Sequence, residues 1–283
     1  MAEARQGFSM SNIIECINLS HVYPTGFSAI KGINLKVKSG EIVAILGQNG
    51  SGKTTLVKHF NGLLKPTGGT VSINGLDTAK QTVFNLSSHA GYVFQNPNHQ
   101  LFATSVLAEL EFGPKNQGLA NDEIAARVKE TADFFQLHSI INEHPLRLSF
   151  PLRKIVAMAS IYAMRPSIFI LDEPTTGQDH GGAEKVRKFL RKLQDDEKTV
   201  ILVTHDMPLV AEIADRVIAM WSSEIISTAN PREFFYDLTT MKKTKLQQPQ
   251  VTALSHRLQN KVLTDGITLT VQETINALEK VLN

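Results

Sequence analysis

The sequence predicts an α/β protein: a mostly parallel, buried core sheet with antiparallel strands joined to its early part. Three observations carry this. Three apolar runs, Ile42-Val43-Ala44-Ile45-Leu46, Ser167-Ile168-Phe169-Ile170-Leu171 and Lys198 to Thr204, are separated by helix-patterned stretches, the mark of a parallel sheet covered on both faces. The first run leads straight into a glycine-rich loop and then a helix, Thr55-Leu56-Val57-Lys58-His59-Phe60. Ahead of it, Ile33-Asn34-Leu35-Lys36-Val37-Lys38 alternates strictly between apolar and polar residues, which reads as a half-exposed strand.

In chain order, Asn12 to Leu19 alternates loosely and reads as a first strand, and Tyr23-Pro24-Thr25-Gly26 as a turn. Ser39-Gly40 turns into the first buried strand. Pro66-Thr67-Gly68-Gly69 ends the following helix, and Thr70 to Asn74 is a strand closed at Asn74-Gly75. These early strands beside a strand–loop–helix core suggest two sheets sharing one layer. Ala90 to Phe94 is a further strand, ending in Gln95-Asn96-Pro97. Residues 101–164 read as a helical insertion, with an acidic first turn at Asp122-Glu123. After Arg216 to Trp221 comes a hairpin-like return, Glu224 to Ser227. Residues 238–249 are polar and rich in Lys and Gln, as in a linker. Val251 to Leu258 and Val271 to Leu282 read as short amphipathic helices, the second opened by the capping box Thr270-Val271-Gln272-Glu273. The expected division is an N-terminal extension over 1–11, a large domain over 12–237 and a helical C-terminal domain over 238–283.

A chain of 283 residues has room for one large domain and a small appendage. Hydrophobic residues make up 42% and charged residues 20%, the balance of a soluble globular protein with a sizeable core. The net charge of +2 leaves no electrostatic footprint for nucleic acid, so no nucleic-acid partner is expected. Cys16 alone forms no internal disulfide and suits a reducing compartment. No run approaches the roughly 18 apolar residues that span a bilayer. Met1 to Met10 lacks the basic start and apolar core of a signal peptide, and Met10-Ser11 reads as a natural start behind a short extension. A soluble, cytoplasmic protein is expected, one still able to dock on a membrane protein.

Gly47-Gln48-Asn49-Gly50-Ser51-Gly52-Lys53-Thr54 fits G-x-x-x-x-G-K-[ST], in the strand–loop–helix context that makes this pattern a phosphate site. Glycines admit backbone shapes closed to other residues, so successive N–H groups turn inward toward a polyphosphate. The helix N-terminus adds unpaired donors and its positive dipole end. The expected nucleotide contacts are Asn49, Gly50, Ser51, Gly52, Lys53, Thr54 and Thr55. Lys53 is placed on the β- and γ-phosphates and the Thr54 hydroxyl on Mg²⁺.

The second half supplies the rest. Asp172, at a strand end, is positioned to hold Mg²⁺ through water, and Glu173 to polarise the water attacking the γ-phosphate. His205, at the next strand end, is expected to contact the γ-phosphate and that water; its alternative is a helix-capping histidine. Gln95 ends another strand within reach of the metal or the water. Such groups gather at the carboxyl ends of strands in open α/β sheets.

With these residues in place, residues 12–230 resemble the ATP-binding-cassette (ABC) ATPases, P-loop NTPases with a mostly parallel core sheet, an antiparallel β subdomain and a helical subdomain. The resemblance implies Walker A at Gly47 to Thr54, Walker B with its general base at Leu171-Asp172-Glu173-Pro174-Thr175, and a Q-loop glutamine at Gln95. It further implies a D-loop at Thr176-Gly177-Gln178-Asp179, a switch histidine at His205 and an adenine-stacking aromatic at Tyr23. Val93 to Phe102 with Glu111-Phe112-Gly113-Pro114, and the segment around Pro249 to Leu258, are similar to the ATPase subunits of energy-coupling-factor (ECF) and cobalt-type importers. That family implies a second ABC ATPase, an integral membrane scaffold subunit and a substrate-binding membrane subunit as partners, ATP and Mg²⁺ as cofactors, vitamin or metal-ion uptake, and a peripheral place on the cytoplasmic face of the membrane.

One stretch departs from the family. The signature L-S-G-G-Q is here Leu148-Ser149-Phe150-Pro151-Leu152. Ser149, a γ-phosphate donor in the family, is kept, but Phe150 brings bulk where backbone approaches nucleotide and Pro151 has no N–H. ABC sites form between subunits, Walker A facing the partner's signature. An asymmetric heterodimer is therefore expected, in which this chain's Walker A works against an intact partner signature. The alternatives are a regulatory or weakly hydrolysing nucleotide-binding subunit, and a soluble mechanical ABC ATPase, against which the lack of a coiled-coil insertion or second cassette counts.

Overall fold

The structure is a computed structural model and describes residues 11–258 and 266–282; residues 1–10 of the expected extension over 1–11 lie outside them. In chain order the strands are β1 (Asn12–Val22), β2 (Ser28–Lys38), β3 (Ile42–Gly47), β4 (Gly68–Ile73), β5 (Leu76–Asp77), β6 (Ala90–Val93), β7 (Ile168–Asp172), β8 (Thr199–Val203), β9 (Arg216–Trp221) and β10 (Glu224–Ala229). The helices are α1 (Lys53–Phe60), α2 (Val83–Ser87), α3 (Val106–Asn116), α4 (Asn121–Phe135), α5 (Phe150–Met164), α6 (His180–Asp195), α7 (Met207–Ile213), α8 (Pro231–Tyr236), α9 (Leu238–Thr244), α10 (Gln250–Leu258) and α11 (Val271–Leu282).

The core sheet has the order β10-β9-β3-β8-β7-β6, parallel throughout except for the β9–β10 hairpin. Every residue of β3, β7 and β8 is buried, which is why these strands are continuously apolar rather than alternating. Alternate side chains still serve opposite faces. Phe169, Leu171, Val200 and Leu202 enter the core beneath α3–α6. Ile168, Ile170, Ile201 and Val203 enter a second core, shared with α1 and the antiparallel strands.

Strands β2-β1-β4-β5 form a separate antiparallel sheet. The two sheets do not merge into one layer, as the early strands suggest; they meet face to face through Ile14, Cys16, Val43, Ile45 and the α1 residues Leu56, Val57 and Phe60. Burial pushes the Cys16 thiol up to about 12, so it is an inert filler of that core. The insertion is helical as expected: α3, α4 and α5 pack together through Leu110, Val128, Phe135 and Tyr162.

The polar stretch 238–249 is not an extended linker. Asp237 caps α9 by accepting from Thr239 N–H at 3.0 Å and Thr240 N–H at 3.1 Å, and Met241 joins Leu46, Val217, Phe234 and Phe235 in a third apolar cluster. Ile267 and Leu269, beyond α10, enter the same cluster. The capping box at α11 is modified. Glu273 donates its N–H to Thr270 Oγ1 at 3.2 Å, but its carboxylate accepts from Leu269 N–H at 2.8 Å, one residue before the cap.

Candidate active site

β3 delivers the chain to the phosphate loop and α1 carries it away. Gly52, the residue before α1, is left-handed at φ 101° and provides no side-chain cap, so the first-turn N–H groups stay available to a ligand. A Cβ on Gly52 would stand 2.5 Å from the Ala29 carbonyl oxygen, which only glycine avoids. Ser51 Oγ is buried with no hydrogen-bond partner, an orphaned donor in a loop shaped for an anion. Lys53 is 7% exposed and its ammonium donates back to the carbonyls of Gly47 at 2.7 Å and Gln48 at 2.9 Å. Burial lowers the Lys53 pKa, opposed by the carboxylates of Glu173 and Asp172. The donor set, the orphaned hydroxyl and the glycine cradle fit the phosphates of ATP.

Asp172 and Glu173 leave β7 beside that loop. Oδ2 of Asp172 accepts from Tyr92 O–H at 2.8 Å and from Thr54 O–H at 3.3 Å; burial, then the Asp172 charge, raises the pKa of the Tyr92 phenol. Thr54 and Asp172 are hard oxygen donors side by side, and they fit Mg²⁺ shared with phosphate oxygens. Glu173 is left-handed at φ 52°, its N–H held by the Val203 carbonyl at 2.8 Å. Its Oε2 accepts from Thr176 O–H at 3.1 Å and from His205 N–H at 3.4 Å, and its Oε1 lies 3.4 Å from His205 Nε2. Asp206 is the residue that caps α7, accepting from Leu209 N–H at 3.0 Å. The His205 ring is left to face Glu173.

One recess of about 190 Å³ brings most of the expected groups together: Asn49, Gly50, Gly52, Lys53, Thr54 and Thr55 from the loop, with Gln95, Asp172, Glu173 and His205 opposite. Phe27, Ala29 and Val203 complete its lining. Ser149 is exposed ahead of α5 and lines no part of the recess. Tyr23 stands next to it, with its hydroxyl 3.1 Å from Thr55 Oγ1 and its ring edge-on to His21. The exposed ring of Phe27 is the aromatic that borders the recess itself.

Sequence reasoning passed over Phe27, Tyr92, Gln100 and Lys154. Gln100 braces the Gln95 loop, accepting from Phe94 N–H at 3.2 Å and donating to the Ala157 carbonyl at 2.8 Å. Tyr92 had one available signal, its place on β6 three residues before Gln95. Away from this recess, a cavity of about 960 Å³ opens between α2 and the helical insertion, bordered by Phe84, Phe112, Leu119 and Met164 with Arg127 and Arg165.

Residues 30–176 match the family model described as ABC transporter. The energy-coupling factor transporter ATP-binding protein EcfA of Methanocaldococcus jannaschii is 42% identical over 251 residues, covering 88% of this chain and 90% of that protein. A longer relative from Caldanaerobacter subterraneus is 41% identical over 246 residues; the match takes in 87% of this chain but only 43% of that relative's length. Among solved structures, cbiO1 of Clostridium perfringens, described as part of the ABC transporter complex cbiONQ, is 36% identical and superposes with a TM-score of 0.72 over 87% of this chain and 99% of its own.

Proposed function

The chain belongs to the ABC transporter ATPase family, and from that premise we propose that it is the ATP-hydrolysing subunit of an ECF-type importer for a vitamin or metal ion, working on the cytoplasmic face of the membrane. The observation that carries the reading is the convergence of Lys53, Thr54, Gln95, Asp172, Glu173 and His205 on one recess. In this reading residues 12–237 are the nucleotide-binding domain and 238–283 a helical C-terminal domain.

Each group has one task. Lys53 exchanges its bonds to the Gly47 and Gln48 carbonyls for phosphate oxygens, a charge-assisted contact. Thr54, Asp172 and Gln95 hold Mg²⁺, which neutralises developing phosphate charge when bound. Glu173 accepts the proton of the attacking water, and His205 orients that water and the γ-phosphate. Tyr23 and Phe27 offer aromatic faces for adenine.

ATP is held between two ATPase subunits, and its hydrolysis releases them. Phe150 and Pro151 favour a heterodimer, in which a partner with an intact signature completes this chain's Walker A site. A membrane scaffold subunit docks in the cavity beside α2 and the insertion, where Phe84 is 64% exposed and Phe112 lines the wall, its ring edge-on to that of Phe102 at 4.7 Å. Among the described residues no helix is long and apolar enough to cross a membrane, so the membrane span is assigned to those partners. The same Phe150-Pro151 pair supports a second reading, a subunit that binds ATP and turns it over slowly.

Detergent extraction of tagged chain from membranes tests the first reading. Recovery of a second ABC ATPase and two integral membrane proteins, with Mg-ATP turnover in the complex, is the expected result. A chain recovered alone, or turnover indifferent to the co-purifying proteins, would overturn it.

A further inference from the structure

We infer that Lys154 is a positioning residue for the Glu173 carboxylate, tying the turn that bears Glu173 to the start of α5. The inference rests on Glu173 serving as general base. Lys154 lies in the second turn of α5 and its side chain is wholly buried at 0% exposure. Its Nζ donates to the carbonyl of Glu173 and, at 3.2 Å, to that of Thr176. Both acceptors belong to the loop that follows β7. A buried ammonium is costly unless its donors are used, and here both carbonyls lie on the two sides of one catalytic turn.

Two further contacts fasten the same loop to the same helix end. The Phe150 ring closes on Gly177, where an added Cβ would stand 2.9 Å from Cε1 of that ring. Gln178 Nε2 donates to the Pro151 carbonyl at 3.1 Å. Phe150 and Pro151, the residues that depart from the family signature, thus face this chain's own D-loop. Glu173 is left-handed at φ 52°, a conformation that a non-glycine residue keeps only when its surroundings over-determine it. The Lys154 bond to its carbonyl and the Val203 bond to its N–H at 2.8 Å supply that constraint. The carboxylate is then aimed by Thr176, whose hydroxyl donates to Oε2 at 3.1 Å and whose carbonyl Lys154 also holds. Burial brings the Lys154 pKa down to about 8, yet the neutral amine retains a donor for each carbonyl, so the brace is geometric.

The test measures Mg-ATP hydrolysis and ATP binding for the full chain in its membrane complex, with Lys154→Met, Lys154→Arg, Glu173→Gln and the Lys154→Met/Glu173→Gln pair. A misplaced catalytic group costs on the order of 10²-fold. Lys154→Met is expected to lower kcat by about that factor with KM and ATP affinity unchanged. Lys154→Arg, which keeps donors in a fork, is expected to recover part of kcat. In the Glu173→Gln background Lys154→Met should change nothing, because the group it aims is gone. Wild-type kcat in Lys154→Met, loss of ATP binding together with turnover, or an additive loss in the pair would each overturn the inference. Wild-type turnover in Glu173→Gln would instead overturn the general-base reading on which it rests.

Discussion

His205 and Glu173 face each other at the ends of neighbouring parallel strands, Nε2 3.4 Å from Oε1, with the His205 N–H directed at Oε2 at 3.4 Å. The register of β7 on β8 sets this up: Asp172 pairs with Val203, so one residue beyond Asp172 and two beyond Val203 bring the carboxylate and the imidazole over the same recess. A carboxylate held beside an imidazole, facing a phosphate loop, is suited to handling one water.

Glu173→Gln keeps the shape and, under the proposed function, removes the base. Its Mg-ATP turnover should fall by about 10²–10⁴-fold, the usual range for a general base, while ATP binding persists and an ATP-bound dimer accumulates on gel filtration. Steady-state turnover equal to wild type would remove Glu173 from this role.

Under the proposed function, the aromatic contact to adenine divides between Tyr23 and Phe27. Tyr23→Phe deletes the hydroxyl bonded to Thr55 at 3.1 Å and leaves the ring, so its ATP Kd should stay near wild type, whereas Tyr23→Ala should raise it. Phe27→Ala should also raise Kd, because the Phe27 ring borders the recess. Titration calorimetry on the three variants apportions the stacking. Wild-type affinity in both alanine variants would leave adenine contact to other groups.

The altered signature predicts slow hydrolysis by the isolated chain. Loss of an aligned transition-state donor costs about 10²–10³-fold. Replacing Phe150 and Pro151 by glycine should raise hydrolysis at saturating Mg-ATP, and adding a partner ATPase with an intact signature should raise it further. The measurement is rate per mole for wild type and the double-glycine variant; brisk wild-type hydrolysis, unimproved by the glycines, would count against the heterodimer. The Phe150 ring also packs on Gly177, so the variant's thermal midpoint is read alongside.

His59 makes folding acid-sensitive. It is fully buried, with Nδ1 2.7 Å from the Thr55 carbonyl and Nε2 3.2 Å from His21 Nδ1. That carbonyl only accepts, so His59 carries its proton on Nδ1 and Nε2 accepts from His21. Burial first, and then His21, lowers the His59 pKa from 6.5 to about 4. Between those values the unfolded chain binds the extra proton, so its contribution is complete above pH 6.5 and is lost as pH falls to about 4. Urea unfolding at neutral pH and at pH 5 should show a smaller acid loss for His59→Gln than for wild type. An equal loss in both would assign the sensitivity elsewhere.

The C-terminal segment should stabilise the cassette. Leu269 is buried with Met241, Phe234 and Phe235, and Arg232 clasps Glu273 with two bonds of 3.1 Å. Leu269→Ala should cost about 2–5 kcal/mol, the range for buried leucines, with ATP affinity retained. An unchanged urea midpoint would show that this cluster contributes nothing to stability.

The sequence by itself determined the core strands, the phosphate loop, the carboxylates at the end of β7 and the histidine at the end of β8. Each is written locally, as an unbroken apolar run, a glycine spacing or a polar residue just past a strand. Its reading of 238–249 failed because α9 carries few apolar anchors, among them the buried Met241, in a polar stretch, too sparse a stripe to register as periodic. Tertiary structure alone decided that Tyr92 meets Asp172, that Phe27 reaches the recess, that His59 is buried against His21 and that Lys154 grips the Glu173 turn. In each pair the partners are tens of residues apart in the chain or carry no motif, and their value comes from burial. A hydroxyl, an imidazole or an ammonium removed from water must find a partner, and only the packed fold shows which one it found.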